Sequence, residues 1–325
     1  MRVAIVGCGL IGRKRAAALA GCQLVACADV LPECAEALAR SVPGSQPMTV
    51  WRAMVERRDV DIVIVSATHD ALAEITLAAI AAGKHVLVEK PAARCSAELD
   101  PVIEAAERAP VLVRVGFNHR YHPALRKAKE LSDVGALGEV MYVRGRYGHG
   151  GRVGYEKEWR ADPKRSGGGE LIDQGIHLID LARWFLGEFI DVQGFAHTYH
   201  WDMPVEDNAF LLLKTAKRQV AFLHASWTEW KNLFSLEVFG RQGKLDITGL
   251  GGSYGVERLA YHRMLPQMGP PETTIWDYPV ADTSWEVEFA EFVDDIGRGR
   301  RPAAGLRDAQ AALQVVERLY KGSGR

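Results

Sequence analysis

Asp173, His177 and Asp180 recur four and three residues apart inside an otherwise apolar segment that contains Leu171, Ile172, Ile176, Leu178 and Ile179. At helical periodicity the three polar residues share one face. A polar stripe between apolar flanks predicts a partly buried cleft, because a stripe turned to water would expose the flanks as well. An imidazole beside a carboxylate suits general acid-base chemistry, since histidine titrates near neutral pH. The same pair also suits a core histidine satisfied by its neighbour, and on this helix alone both readings stand.

A second set of residues points to a dinucleotide. Arg2 to Val6 is a short apolar run, followed at once by Gly7-Cys8-Gly9-Leu10-Ile11-Gly12 and by an alanine-rich helical segment, Arg13 to Ala20. A strand, glycine turn and helix is the context in which a GxGxxG pattern carries meaning. Gly7 allows the tight turn, Gly9 lets backbone approach a pyrophosphate, and Gly12 lets helix pack on strand. Asp29 ends the next strand about 20 residues beyond Gly9, where a carboxylate accepts both hydroxyls of an adenosine ribose. It would repel a 2′-phosphate, and Val30 follows it, so the cofactor expected is NAD rather than NADP. A helix cap before Leu31 to Arg40 is the competing role for Asp29. Lys90 stands between Glu89 and Pro91, and the proline keeps the residue before it out of helical geometry. The lysine is therefore presented extended at the end of a strand.

These residues need elements to hold them. Strand-like stretches (Gln23 to Ala28, Asp61 to Val65, His85 to Val88, Val111 to Val115) alternate with helix-like ones (Ala71 to Ala82, Ala97 to Ala109). Such βαβ repetition predicts a doubly wound parallel sheet with its ligand at the carboxyl ends of the strands. Thr68 and His69, Glu89 and Lys90, and Asn118 and Arg120 fall at those ends. After Arg120 the pattern changes to a helix, His122 to Leu131, a strand, Glu139 to Tyr147, a glycine-rich charged stretch, Gly148 to Ser166, that leads into the helix of Asp173, and then strand-like runs at Ile190 to Tyr199, Asn208 to Lys214, Gln219 to Trp227, Phe234 to Phe239 and Lys244 to Thr248, a largely antiparallel sheet. Helices over Ser284 to Ile296 and Leu306 to Tyr320 close the chain. The expected domains are 1–120 and 121–325.

Composition narrows the class of partner. With 40 basic and 41 acidic residues in a chain of 325, no charge footprint for nucleic acid or a membrane surface exists. No apolar run reaches membrane-spanning length. Five cysteines without a CxxC pair predict reduced thiols in the cytoplasm rather than disulfides or a zinc site, and the start of the chain lacks a signal-peptide pattern. His197 and His200 lie three apart on a predicted strand and point to opposite faces, while His119 and His122 lack a third ligand, so no metal is expected.

Taken together, Gly7-Cys8-Gly9-Leu10-Ile11-Gly12, Glu89-Lys90-Pro91, Trp159-Arg160-Ala161-Asp162-Pro163, and Gly167-Gly168-Gly169 with Asp173 and His177 resemble the Gfo/Idh/MocA family of sugar and polyol oxidoreductases. The resemblance spans nearly the whole chain. It implies an N-terminal Rossmann domain and a C-terminal α+β domain whose large, mostly antiparallel open sheet often serves oligomer contacts, in a homodimer or homotetramer. It implies catalytic roles for Lys90, Asp173 and His177. Gly7, Gly9, Leu10, Ile11, Gly12, Asp29, Thr68, His69, Glu89 and Lys90 are expected at NAD, and Asn118, Arg120, Trp159 and Arg160 at a sugar or polyol substrate. One departure stands: many relatives carry Thr-Pro-Asn and then a histidine where this chain has Thr68-His69-Asp70 and Ala73.

The activity this suggests is hydride transfer between NAD and a secondary hydroxyl or ketone. His177 acts as base, Asp173 orients it or the substrate, and Lys90 donates to the reacting oxygen. A non-catalytic sensor of dinucleotide or sugar is the alternative from another class, since fold does not compel chemistry. Hydride exchange between two sugars through tightly held NAD is a third.

Overall fold

Apolar runs without alternation become strands buried on both faces, and the first part of the chain shows this. In the computed structural model, which describes residues 1–324, β1 (Arg2–Val6), β2 (Gln23–Ala28), β3 (Gln46–Met48), β4 (Ile62–Val65), β5 (His85–Glu89) and β6 (Val113–Gly116) form a sheet of order β3-β2-β1-β4-β5-β6. Every pairing in it is parallel. The order reverses beside β1, and the carboxyl ends of β1 and β4 border that switch point, where doubly wound folds bind ligands. All four residues of β4 are buried, as helices on both faces require.

The second sheet contains β7 (Val140–Gly148), β8 (Phe189–His197), β9 (Asn208–Thr215), β10 (Val220–Ser226), β11 (Leu233–Gly240), β12 (Gly243–Thr248), β13 (Glu257–Arg263) and β14 (Glu272–Tyr278), in the order β14-β13-β12-β11-β7-β10-β9-β8. Its pairings are antiparallel except β10 with β7. Alternating burial along β9 shows one covered and one open face. The sequence reading placed β7 to β12 within two residues at each end but missed β3, β13 and β14. β13 carries two arginines and a histidine, and β14 is almost wholly exposed at the sheet edge, so neither shows the apolar alternation that marks a strand.

By packing, the chain divides into Met1–Phe117 with Trp285–Gln310, and Asn118–Ser284 with the residues from Ala311 onward. The expected second domain, 121–325, thus yields one segment to the first. Buried ion pairs account for this. In the helix Ser284–Arg298, Glu288 accepts Nη1 of Arg15 at 2.5 Å, and Asp295 pairs with Arg114. Phe289 and Phe292 enter the core formed by Val3, Ile5, Leu24 and Ile62. Partners so far apart in sequence leave no local signal.

Candidate functional site

The glycine turn is built from backbone. Gly7 has φ of +91°, and a Cβ there would lie 2.4 Å from the carbonyl oxygen of Ser66. A Cβ on Gly12 would lie 2.0 Å from the oxygen of Gly7, so helix Leu10–Ala17 could not seat on β1. Gly9 differs, because a Cβ there meets no atom within 4 Å. Gly9 caps the helix without a side-chain bond, leaving its first amides to an outside acceptor beside open space. Asp29 accepts the amide of Cys8 at 2.7 Å and that of Leu31 at 3.0 Å, and so clamps the turn to the end of β2. The helix Pro32–Ser41 starts from Leu31 without a side-chain cap, so Asp29 does not take the competing cap role; a carboxylate has about four acceptor positions, which leaves it capacity for ribose hydroxyls. These residues fit a dinucleotide, with Leu10 exposed and Ile11 half-buried at the helix start.

Around β4 and β5 the expected residues differ in what they do. Thr68 donates to Asp70 at 2.6 Å, and His69 is buried in the first turn of helix His69–Ala81. Lys90 is half-buried and joined to Pro91 by a cis peptide, where the sequence specified only extended geometry. The Glu89 carboxylate, expected at the cofactor, accepts Nε of Arg15 at 2.6 Å and so anchors the segment that carries Lys90. The anchor needs Gly116, where a Cβ would come within 2.6 Å of the Arg15 guanidinium.

In the second unit the segment 167–177 is shaped by what crowds it. A Cβ on Gly169 would lie 1.9 Å from the Glu206 carbonyl oxygen. One Glu206 carboxylate oxygen accepts the amides of Gly169 at 3.0 Å and Leu171 at 3.1 Å, and the Tyr320 hydroxyl at 2.7 Å. A buried carboxylate at a helix start suits both the unpaired amides and the dipole. Leu171–Gly175 forms a π-helical turn, which continues as the α-helix Ile176–Leu186. Such turns often mark functional sites.

Asp173 lies on the π turn and His177 on the helix after it, both buried. Asp173 accepts Nε of Arg160 at 2.8 Å, and that carboxylate raises the guanidinium further above its ordinary range. Arg160 also lies over the Trp159 ring, 4.6 Å from its centroid. The His177 ring stacks on His119 with centroids 3.7 Å apart and planes 16° apart, and Tyr147 stands edge-on at 6.3 Å. Burial drives the Tyr147 phenol well above its usual range, so the hydroxyl stays protonated. Gln174 donates to the Tyr254 hydroxyl at 3.1 Å.

Two residues expected at the substrate are tied into the protein itself. Arg120 is bound through Nε and Nη2 to Asp180, at 2.8 and 2.5 Å, and both residues are buried. Asn118 donates to Ser284 at 3.0 Å and meets His119 Nδ1 at 3.2 Å, which holds the ring that stacks on His177. Asn118 thus steadies the His119 ring that stacks on His177, while Trp159 and Arg160 stay half-exposed beside Asp173. The sequence reading missed His119 after β6, Tyr147 and His149 at the end of β7, and Tyr254 before β13. Alternation along β7 was the one available signal, since it turns Tyr147 to the covered face. Among the described residues no group of three or more His, Cys, Asp or Glu is placed to hold a metal ion, and no helix is long and apolar enough to cross a membrane.

Two family profiles match the chain: residues 1–117 match "Oxidoreductase family, NAD-binding Rossmann fold", and residues 125–246 match "GFO/IDH/MocA C-terminal domain". Levoglucosan dehydrogenase of Pseudarthrobacter phenanthrenivorans is 28% identical over 238 residues, which cover 67% of this chain and 59% of that protein. Inositol 2-dehydrogenase of Salmonella typhimurium is 26% identical over 311 residues, covering 93% and 88%. The solved structure of a levoglucosan dehydrogenase in complex with NADH and levoglucosan superposes with a TM-score of 0.90 at 22% identity, covering 100% of this chain and 97% of that one.

Proposed function

Because the chain belongs to the Gfo/Idh/MocA family of oxidoreductases, with an NAD-binding Rossmann fold over residues 1–117, we propose that it is a dehydrogenase acting on a secondary hydroxyl of a sugar or cyclitol. The observation that carries this reading is the buried His177 ring, stacked on His119, one turn from a carboxylate that an arginine holds in place. The levoglucosan and inositol dehydrogenases among its relatives favour a neutral, polyhydroxylated ring as substrate.

NAD supplies the hydride acceptor when bound, and Gly7, Gly9, Gly12 and Asp29 are the residues to hold it. His177 takes the hydroxyl proton. Lys90 donates to the oxygen as it gains alkoxide character, and its place directly after the anchored Glu89 limits the positions open to it. Asp173, steered by Arg160, orients the substrate hydroxyl, and the half-exposed Trp159 ring offers a face for a sugar.

The five cysteines are free thiols, which supports a reducing, cytoplasmic setting. A homodimer or homotetramer is supported by the open face of the second sheet, where Phe195, Leu212 and Phe222 are exposed. The test is nicotinamide absorbance on mixing the protein and NAD with inositols, anhydrosugars and free sugars. Reduction with at least one of them is expected; inertness across the panel in both directions would refute the reading.

A further inference from the structure

His149 follows β7 and is fixed on both sides. Its amide donates to the Ser226 carbonyl at 2.9 Å and its carbonyl accepts the Glu229 amide at 3.2 Å. Its side chain is fixed as well, because Nδ1 lies 2.8 Å from the Gly151 amide. A backbone N–H can only donate, so Nδ1 carries a lone pair, and a neutral imidazole then bears its hydrogen on Nε2. The Tyr155 ring packs edge-on at 5.7 Å and 86°, closing one side of the imidazole.

The surroundings keep this ring neutral. Burial is the largest influence and lowers its pKa; Asp173 opposes, while Arg160 and Arg152 act with burial. The same three charges show where the ring lies, within electrostatic reach of the Asp173–Arg160 pair. Among the described residues no acceptor takes the Nε2 hydrogen, and that nitrogen is not among the sealed polar atoms without a partner. A fixed neutral donor, open on its outer side and close to the carboxylate that orients substrate, is a built contact that lacks only its acceptor.

Resting on the dehydrogenase reading above, we propose that His149 is a specificity-determining residue whose Nε2–H donates to an oxygen of the substrate ring, a hydroxyl or ether oxygen at a carbon other than the one oxidised. The acceptor must be oxygen. An ammonium group at that carbon would have no lone pair to offer the Nε2 hydrogen. The site therefore selects polyhydroxylated rings over their amino-substituted counterparts. The ring's Gly151 bond serves a second purpose, since it fixes both the tautomer and the aim of the donor.

Two replacements separate these duties. In His149→Asn the amide oxygen can take over the Gly151 N–H while the reach of Nε2 is lost; His149→Phe loses both. The assay uses the best substrate of the polyol panel together with its set of monodeoxy and monoamino analogues. For His149→Asn the expected result is a KM for the polyol raised about three- to tenfold, the scale of one neutral hydrogen bond, with the KM for NAD and the melting temperature unchanged. One deoxy analogue should be penalised by wild type and no longer penalised by the variant. Equal losses on every analogue, or no loss on any, would overturn the proposal. If the wild type is inert toward the panel, the dehydrogenase reading falls and takes this proposal with it. If the wild type turns over but the variant's analogue profile matches it, this proposal alone falls.

Discussion

The glycine turn after β1 and the histidine cluster of the second unit are both candidate sites, yet they are made of different material. The turn consists of backbone: the first helical amides after Gly9 have no side-chain cap, and Gly7 and Gly12 are demanded by the carbonyls of Ser66 and Gly7. The cluster consists of side chains, from residues 118–119, β7, residue 160, the π turn and residue 254, brought together by the second sheet. A site of the first kind fails when any atom is added where space is absent. One of the second kind fails only when the particular side chain that acts is removed, and its neighbours share the loss.

The sharpest way to break the comparison is at the glycines. Gly12→Ala and Gly169→Ala each place a Cβ about 2 Å from a backbone oxygen, and neither variant is expected to give folded protein by circular dichroism. Gly9→Ala meets nothing within 4 Å; it should fold normally and lose NAD affinity, read by NADH fluorescence titration. Normal NAD binding by Gly9→Ala would show that the turn is not where the dinucleotide approaches.

Next in size is the ion pair beneath Lys90. Arg15 stands between Glu89 and Glu288 with almost no solvent access, and Arg15→Met strands both carboxylates. Removing one partner of such a buried pair costs about 3–5 kcal/mol, so a large fall in melting temperature is expected; a shift of a degree or two would mean the carboxylates are not buried as described. Burial already raises the Glu288 pKa, against the pull of Arg15, so the variant should be least destabilised at acid pH.

A smaller effect links pH to the second sheet and to β5. Burial lowers the pKa of His85, His149 and His224 from 6.5. Their folded forms resist a proton that the unfolded chain accepts, so the stability they contribute is whole above that value and is lost as pH falls towards their folded pKa values. Glu288 has the opposite sign, one group against three. Wild-type melting temperature should therefore fall between pH 7 and pH 5, and a flat or rising profile would count against the burial of these rings.

What the sequence showed follows the same division. Gly7, Gly9, Gly12 and Asp29 were legible because a strand, a turn and a helix are local, and their glycine spacing has a steric cause. Asp173 and His177 were legible as a pair because they share one helical segment. Arg120 and Asn118 were assigned to substrate because their position after β6 was visible, while their partners Asp180 and Ser284 were not. The same blindness hid His119 and His149, whose roles depend on a stacked ring and a turn amide rather than on spacing. Glu89 shows it within a motif: its partner Arg15 lies 74 residues away, and the motif alone suggested a cofactor contact.

The central claim is that one imidazole, His177, takes the proton while the dinucleotide is held by separate residues. Single-turnover formation of NADH by wild type and His177→Ala, alongside NADH titration of both, tests it most directly. The account predicts a rate lower by about a hundredfold to ten-thousandfold with NADH affinity unchanged; a near-normal rate, or loss of NADH binding in step with the rate, would contradict it.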